Sequence, residues 1–167
     1  MSTIVKIIIG DISKLKVDCI VNDTNPSLLE GGGINDAIQK AAGPKIMEEL
    51  RNLGGCKTGE AKITAGFDLP AKKVIHTVSP QWIDGNNQEA EELANCYKNS
   101  LDLAVKNKIK SIAFPAIGTN GSKFPKETAF KIAVESVRRF TDYSDELEEI
   151  YLVALDNDDF KIFKNIF

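Results

Sequence analysis

The chain has 167 residues, 43% hydrophobic and 27% charged, an ordinary globular composition with length enough for one buried core. Its 21 Lys and Arg against 24 Asp and Glu give a net charge of −3, which argues against duplex nucleic acid or an anionic membrane as partner. A single histidine, His76, excludes His-rich zinc sites and leaves one candidate for His-based catalysis.

Elements follow in chain order. Residues 4–9 are apolar apart from Lys6 and predict a strand buried on both faces. The opening MSTIVKIIIGD lacks a basic segment and a small-residue cleavage site, so it reads as that strand and not as a signal peptide. Residues 19–21 predict a second strand. A triple glycine precedes a helix over 34–42, and Pro44 opens another to about Leu53. Strands over 61–67 and 74–78 flank a Leu69-Pro70-Ala71 turn. Ala90, Leu93, Ala94, Tyr97, Leu101 and Ala104 fall on one face of a helix over 88–107. A strand over 111–114, a helix from Pro125 to Phe140, a strand over 150–155 and a short helix over 159–166 complete the chain. Residues 81–87 and 142–149 read as loops. Strands separated by helices predict an α/β sandwich with a mostly parallel central sheet, in one domain over 1–167.

No apolar stretch reaches the roughly 18 residues of a membrane span. Cys19, Cys56 and Cys96 form no CxxC pair and read as buried thiols of a reducing compartment, hence the cytoplasm, or the nucleus in a eukaryote.

In open α/β sheets, ligands bind beyond the carboxyl ends of the strands. Four segments there carry unusual residues. Gly10-Asp11-Ile12 places an acid after the first strand, suited to an amino group and equally to a turn. Asn22-Asp23-Thr24-Asn25-Pro26 follows the second strand, suited to sugar hydroxyls and equally to Asx-turns. Gly31-Gly32-Gly33 precedes a helix, where backbone amides can approach an anion or a loop can simply flex. Ala116-Ile117-Gly118-Thr119-Asn120-Gly121-Ser122 is a second such cradle, and neither a Walker A loop nor a GxGxxG. Together they suit a diphosphate between two sugars.

The segments VDCIVNDTNPSLLEGGGINDAIQKAAGP, GCKTGEAKITAGFDLPAKKVIHTVSP, ELANCYKNSLDLA and SIAFPAIGT resemble the macrodomain family, in order and over essentially the whole chain. The likeness is strongest to the MacroD-like class of de-ADP-ribosylating enzymes. It implies a three-layer α/β/α sandwich with a mixed, mostly parallel sheet. It implies that Asp11 and Ile12 hold adenine and that Asn22 and Asn25 lie at the distal ribose. Gly31, Gly32, Gly33 and Ile34 would line that ribose and one phosphate. Ala116, Gly118, Thr119, Asn120, Gly121 and Ser122 would wrap the diphosphate, with Leu155 and Asn157 beside the adenosine. His76 falls at a structural position of the family.

The departures bear on catalysis. The family's Asp after the glycines is Asn35 here, and its His is Gln39. Amides are not useful bases at neutral pH. Asp36, one residue on, is turned by about 100° on a helix. The Asn-Ala-Ala-Asn stretch reads Asn22-Asp23-Thr24-Asn25, and the aromatic over the distal ribose reads Ser122. Leu155 replaces an aromatic stacked on adenine, at a cost of about 1–3 kcal/mol by analogy with base stacking.

Three functions follow from the resemblance. One is slow hydrolysis of mono-ADP-ribosyl esters on Asp or Glu, or of O-acetyl-ADP-ribose, with Asn25 and Asn35 at the catalytic positions. The second is non-catalytic reading of ADP-ribose. The third is another nucleotide, with Asn120, Ser122, Asp156 and Asn157 as polar contacts. The expected partner is ADP-ribose or a mono-ADP-ribosylated protein; a monomer without cofactor or metal is expected.

Overall fold

Alternation along the strands sorts the apolar side chains onto two faces of one sheet in the computed structural model, which describes residues 2–29 and 31–167. The strands are β1 (Ile4–Ile9), β2 (Cys19–Thr24), β3 (Ala61–Ala65), β4 (Lys73–Val78), β5 (Ser111–Phe114) and β6 (Glu149–Ala154). The helices are α1 (Gly33–Ala42), α2 (Lys45–Leu53), α3 (Glu89–Lys106), α4 (Lys126–Tyr143) and α5 (Asn157–Ile166), with one 3-10 turn at Ile12–Lys14. The sheet order is β1-β6-β5-β2-β4-β3. All neighbours are parallel except β3, which runs antiparallel to β4. Cys19 and Val21 face a core shared with α3, α4 and α5. Ile20, between them, faces the core under α1 and α2. The result is the three-layer α/β/α sandwich with a mixed sheet.

The structure corrects several boundaries. β1 is not buried on both faces. It is an edge strand paired only with β6, and Ile4 and Ile9 are 54% and 45% exposed. β2 continues through Asn22, Asp23 and Thr24, which pair with His76, Thr77 and Val78 of β4. Asp23 and the Asn22 Nδ2 find partners inside the protein, whereas Thr24 Oγ1 and Asn22 Oδ1 are buried without one among the described residues. β3 ends at Ala65, because Gly66 donates to the Lys72 carbonyl and turns the chain. A Cβ on Gly66 would lie 2.1 Å from the Ala71 oxygen. α5 begins two residues early because Asp156 caps it, accepting from the Asp159 amide at 2.9 Å. α4 runs to Tyr143, so residues 142 and 143 are helix and not loop.

Candidate functional site

Parallel strands end on the same side, so the segments after β1, β2, β5 and β6 meet there. They enclose a cleft of about 750 Å³. Its walls come from Gly10, Asp11 and Ile12, from Asp23, from Gly33, Ile34 and Ala37, and from Pro115, Ala116, Thr119 and Asn120. Lys126, Val153, Leu155, Asp156 and Asp159 close the remaining side.

At one end Asp11 caps the 3-10 turn. Its Oδ1 accepts from the Ser13 hydroxyl at 2.7 Å and the Ser13 amide at 2.9 Å. These bonds hold the carboxyl below its usual pKa. The turn role and an acceptor role therefore coexist: the carboxylate is fixed, charged and exposed at the cleft. Leu155, 72% exposed, offers an apolar surface nearby. Lys126 reaches Asp159 at 2.9 Å across this end and joins the first turns of α4 and α5.

The α1 side is a clasp of amides. Asn35 is 2% exposed. Its Oδ1 accepts from Asn22 Nδ2 at 2.7 Å and Gln39 Nε2 at 2.9 Å, while its Nδ2 donates to the Leu29 carbonyl at 2.7 Å. Gln39 Nε2 also donates to the Leu28 carbonyl at 3.2 Å. Asn22 is fully buried, and its Nδ2 lies 3.1 Å from His76 Nδ1. Because Asn22 donates there, His76 Nδ1 accepts and Nε2–H donates to Thr64 Oγ1, 2.9 Å away. Burial holds His76 neutral, with its pKa lowered to about 3. His76 is thus structural.

Asn25 closes its own turn, accepting from the Ser27 amide at 3.0 Å and from the Ser27 hydroxyl. Its Nδ2 would lie 2.2 Å from a Cβ on Gly31, so the glycine permits this approach. Asp36 accepts from the Gly31 amide at 3.2 Å and braces the glycine loop. Gly33, at φ +58°, faces the opposite wall: a Cβ there would lie 1.9 Å from Asn120 Nδ2.

The segment between β5 and α4 is anchored from below. Tyr97 Oη donates to the Pro115 carbonyl at 3.4 Å and accepts from the Ile117 amide at 3.2 Å. Asp23 Oδ2 accepts from the Gly118 amide at 3.0 Å. Its Oδ1 accepts from Ser79 Oγ at 2.7 Å, and Ser79 Oγ lies 2.6 Å from Ser122 Oγ. Burial pushes the Asp23 carboxyl up, against the bonds from Gly118 and Ser79. Outside this loop, Trp82 stacks at a tilt on Phe124, 5.1 Å between ring centres, and donates its amide to the Ser122 carbonyl at 2.8 Å. Glu89 orders the Trp82 segment. Its Oε2 accepts from the Ile83, Asp84 and Gly85 amides and its Oε1 from Asn87. Burial opposes its charge, but these four bonds outweigh it and pull the pKa down to about 2.

Asp11, Ile12, Gly33, Ile34, Ala116, Thr119, Asn120 and Leu155 thus line one cleft. Asn22 and Asn35 do not. Both are internal: Asn35 bonds through its oxygen and its nitrogen, and Asn22 through its Nδ2, while Asn22 Oδ1 is buried without a partner among the described residues. Ser122 is 7% exposed and turned to Ser79, so it does not replace an aromatic cover. Asn25, Gly31, Gly32, Gly118, Gly121 and Asn157 sit in the surrounding segments without forming the cleft wall. Sequence reasoning missed Asp23, Lys126 and Asp159 as wall residues. An acid at the end of a buried strand was the available signal for Asp23, and a lysine directly after the Pro125 helix start was that for Lys126. Among the described residues, no three His, Cys, Asp or Glu side chains group as a metal set.

The family model described as the Macro domain matches residues 21–133. An O-acetyl-ADP-ribose deacetylase of Klebsiella pneumoniae is 47% identical over 165 residues, covering 96% of this chain and 94% of that protein. The human ADP-ribose glycohydrolase MACROD2 is 49% identical over 159 residues, 93% of this chain but 37% of that protein. Among solved structures, a variant of the Oceanobacillus iheyensis macrodomain with ADPR superposes with a TM-score of 0.91 at 36% identity, covering 96% of this chain and 89% of the other.

Proposed function

This chain belongs to the macrodomain family, and on that premise we propose that its cleft binds ADP-ribose and slowly hydrolyses mono-ADP-ribosyl esters of Asp or Glu, or O-acetyl-ADP-ribose. The observation that carries the reading is the cleft itself: a fixed carboxylate at one end and two glycine-bearing loops facing each other along it. Asp11 accepts from the adenine amino group and Leu155 packs on the ring. The backbone amides around Thr119 and Asn120 and those at the start of α1 receive the diphosphate, favoured by the helix N-terminus. The distal ribose lies toward Gly33 and Asn25. Hydrolysis then depends on positioning of water by ligand phosphate and backbone dipoles, because no acid stands at the Asn35 position.

That same amide clasp favours one alternative, a reader of mono-ADP-ribosylated protein without turnover. Calorimetry with ADP-ribose tests binding, and absence of heat at millimolar ligand rejects it. Incubation with an ADP-ribosylated glutamate peptide and with O-acetyl-ADP-ribose separates enzyme from reader. Release of ADP-ribose above the no-protein rate supports the enzyme; binding without release supports the reader. The three free buried thiols favour a reducing compartment such as the cytoplasm as the site of action.

A further inference from the structure

β2 lies between β4 and β5, so a side chain near its carboxyl end sits between whatever follows those two strands. Asp23 is at that position. It is in register with Thr77, two residues before Ser79, and it shares the sheet face of Cys19 and Val21. One of its oxygens takes the amide of Gly118, beyond β5, at 3.0 Å. The other takes the hydroxyl of Ser79, beyond β4, at 2.7 Å. Ser79 spends its proton on Asp23, so in the Ser79–Ser122 contact Ser122 donates and Ser79 accepts. One carboxylate therefore grips both ends of the 118–122 loop, Gly118 directly and Ser122 through one serine. It does so at the wall of the cleft.

A carboxylate beside a diphosphate site is electrostatically unfavourable. It also uses the Gly118 N–H, a donor that an anion would otherwise attract. Its presence calls for a compensating gain, and the geometry supplies one. Gly118 has φ +89°, and its amide is fixed by Asp23 while Phe124 donates to the Gly118 carbonyl at 2.9 Å. The loop is thereby closed before any ligand arrives. Thr119 gives its amide to the Ala116 carbonyl at 3.3 Å, so the donors that remain between the two grips are the Asn120 and Gly121 amides, and they need no ordering on binding.

We propose that Asp23 is a positioning residue: through Gly118 and the Ser79–Ser122 pair it presets the 118–122 loop for the diphosphate of the ligand. The inference rests on the ADP-ribose reading of the cleft. It concerns residues at which this chain departs from the family's pattern, Asp23 in the Asn-Ala-Ala-Asn stretch and Ser122 at the aromatic position.

The test compares Asp23→Ala, Asp23→Asn and Ser79→Ala with the wild type. Binding of ADP-ribose, ADP and adenosine is followed by NMR titration, and thermal melting checks the fold. Asp23→Ala is expected to bind ADP-ribose and ADP about tenfold more weakly and adenosine unchanged, a loss of about 1.4 kcal/mol confined to diphosphate ligands. Ser79→Ala, which frees only the Ser122 end, falls between. Asp23→Asn keeps an oxygen for Gly118 and donates to Ser79, whose proton then turns to Ser122. It is expected to stay within about threefold of the wild type, since the hydrogen-bond pattern survives without the charge. Amide exchange at Gly118–Ser122 in the unliganded protein should quicken in Asp23→Ala and not in Asp23→Asn. Equal loss for adenosine and ADP-ribose, or unchanged diphosphate binding in folded Asp23→Ala, overturns the inference alone. A wild type that binds no ADP-ribose overturns the reading of the cleft and the inference with it. Should Asp23→Ala fail to fold, Ser79→Ala decides: weaker binding of ADP-ribose and ADP with adenosine unchanged supports the inference, and unchanged diphosphate binding overturns it.

Discussion

Asn35 Nδ2 donates to the Leu29 carbonyl at 2.7 Å, which makes Asn35 the latch between α1 and the segment leading into the glycines. Its oxygen already receives two donors, from Asn22 and Gln39. Only an amide satisfies this arrangement. An aspartate here would keep one oxygen bonded and press the other against a carbonyl oxygen. Asn35→Asp is therefore expected to destabilise the fold by about 3 kcal/mol at neutral pH, the scale of an uncompensated buried charge. Burial and the Leu29 carbonyl raise the new carboxyl's folded pKa above its unfolded value. The protein would be more stable with the proton on, and the loss would grow as pH rises through the folded pKa. Urea unfolding at pH 5 and pH 8 measures both effects. Restoring the family's acid is also expected to leave ester hydrolysis unimproved, since the side chain stays inside the clasp. A gain in turnover with unchanged stability would show that residue 35 faces the substrate.

His76 makes the same interior sensitive to acid. Its pKa falls from 6.5 to about 3 because burial disfavours the cation. A base with a depressed folded pKa contributes fully above its unfolded pKa, and stability is lost as pH falls from 6.5 toward 3. The full loss is on the order of 5 kcal/mol. Asp23, whose carboxyl burial also pushes up, is common to both proteins, so the difference in slope between the wild type and His76→Gln from pH 6.5 to 5 isolates this group. Urea midpoints of the wild type should fall across that window. Those of His76→Gln, lower at pH 7 for lost packing, should fall less. Parallel curves for the two proteins would contradict the assignment.

What could be read from the sequence was local. The run 74–78, the 88–107 helical face and the glycines before α1 each state their structure within a few residues. Asp11, Thr119, Asn120 and Leu155 were recognisable because each sits where a strand gives way to a loop. The edge position of β1 was not legible, since its apolar run looks the same in the centre of a sheet. Asn22 and Asn35 read as ligand contacts because each is an amide near a binding loop, and their burial was not legible. Only the crossing of α1 over β2 shows that the two amides bond each other. Asp23 acquires its meaning from the order β5-β2-β4, a relation among three distant segments.

Gly33 and Asn120 meet across the top of the cleft, where a Cβ on Gly33 would fall 1.9 Å from Asn120 Nδ2. Gly33→Ala would displace the Asn120 amide and strain a backbone at φ +58°. Strain of about 1 kcal/mol is expected from the left-handed conformation alone. ADP-ribose affinity should fall about tenfold, since the first turn of α1 carries amides that face the ligand. Asn120→Gly removes the obstruction. The double variant is expected to recover part of the affinity, a non-additivity that a titration of all four proteins measures. Strict additivity would mean that the two residues do not interact.

Glu89 holds the segment behind the second loop, and its replacement tests whether that support reaches the cleft. A glutamine offers one oxygen where the carboxylate offers two, so Glu89→Gln must forfeit either the Asn87 bond or the three from Ile83, Asp84 and Gly85. Exchange of the Asp84, Gly85 and Asn87 amides is expected to quicken. Trp82, which packs on Phe124 and donates to the Ser122 carbonyl, would lose its fixed approach. Its fluorescence should then shift toward that of an exposed indole. The carboxyl's pKa is pulled from 4.5 to about 2. Its contribution to stability is therefore present above pH 4.5 and is lost as pH falls toward 2. The wild type should exceed Glu89→Gln in urea midpoint at pH 7, and the gap should narrow between pH 4.5 and 2. ADP-ribose affinity should weaken at pH 7 without any change at Asp11. A constant gap across that range would show that the carboxylate's charge is not what orders residues 83–87.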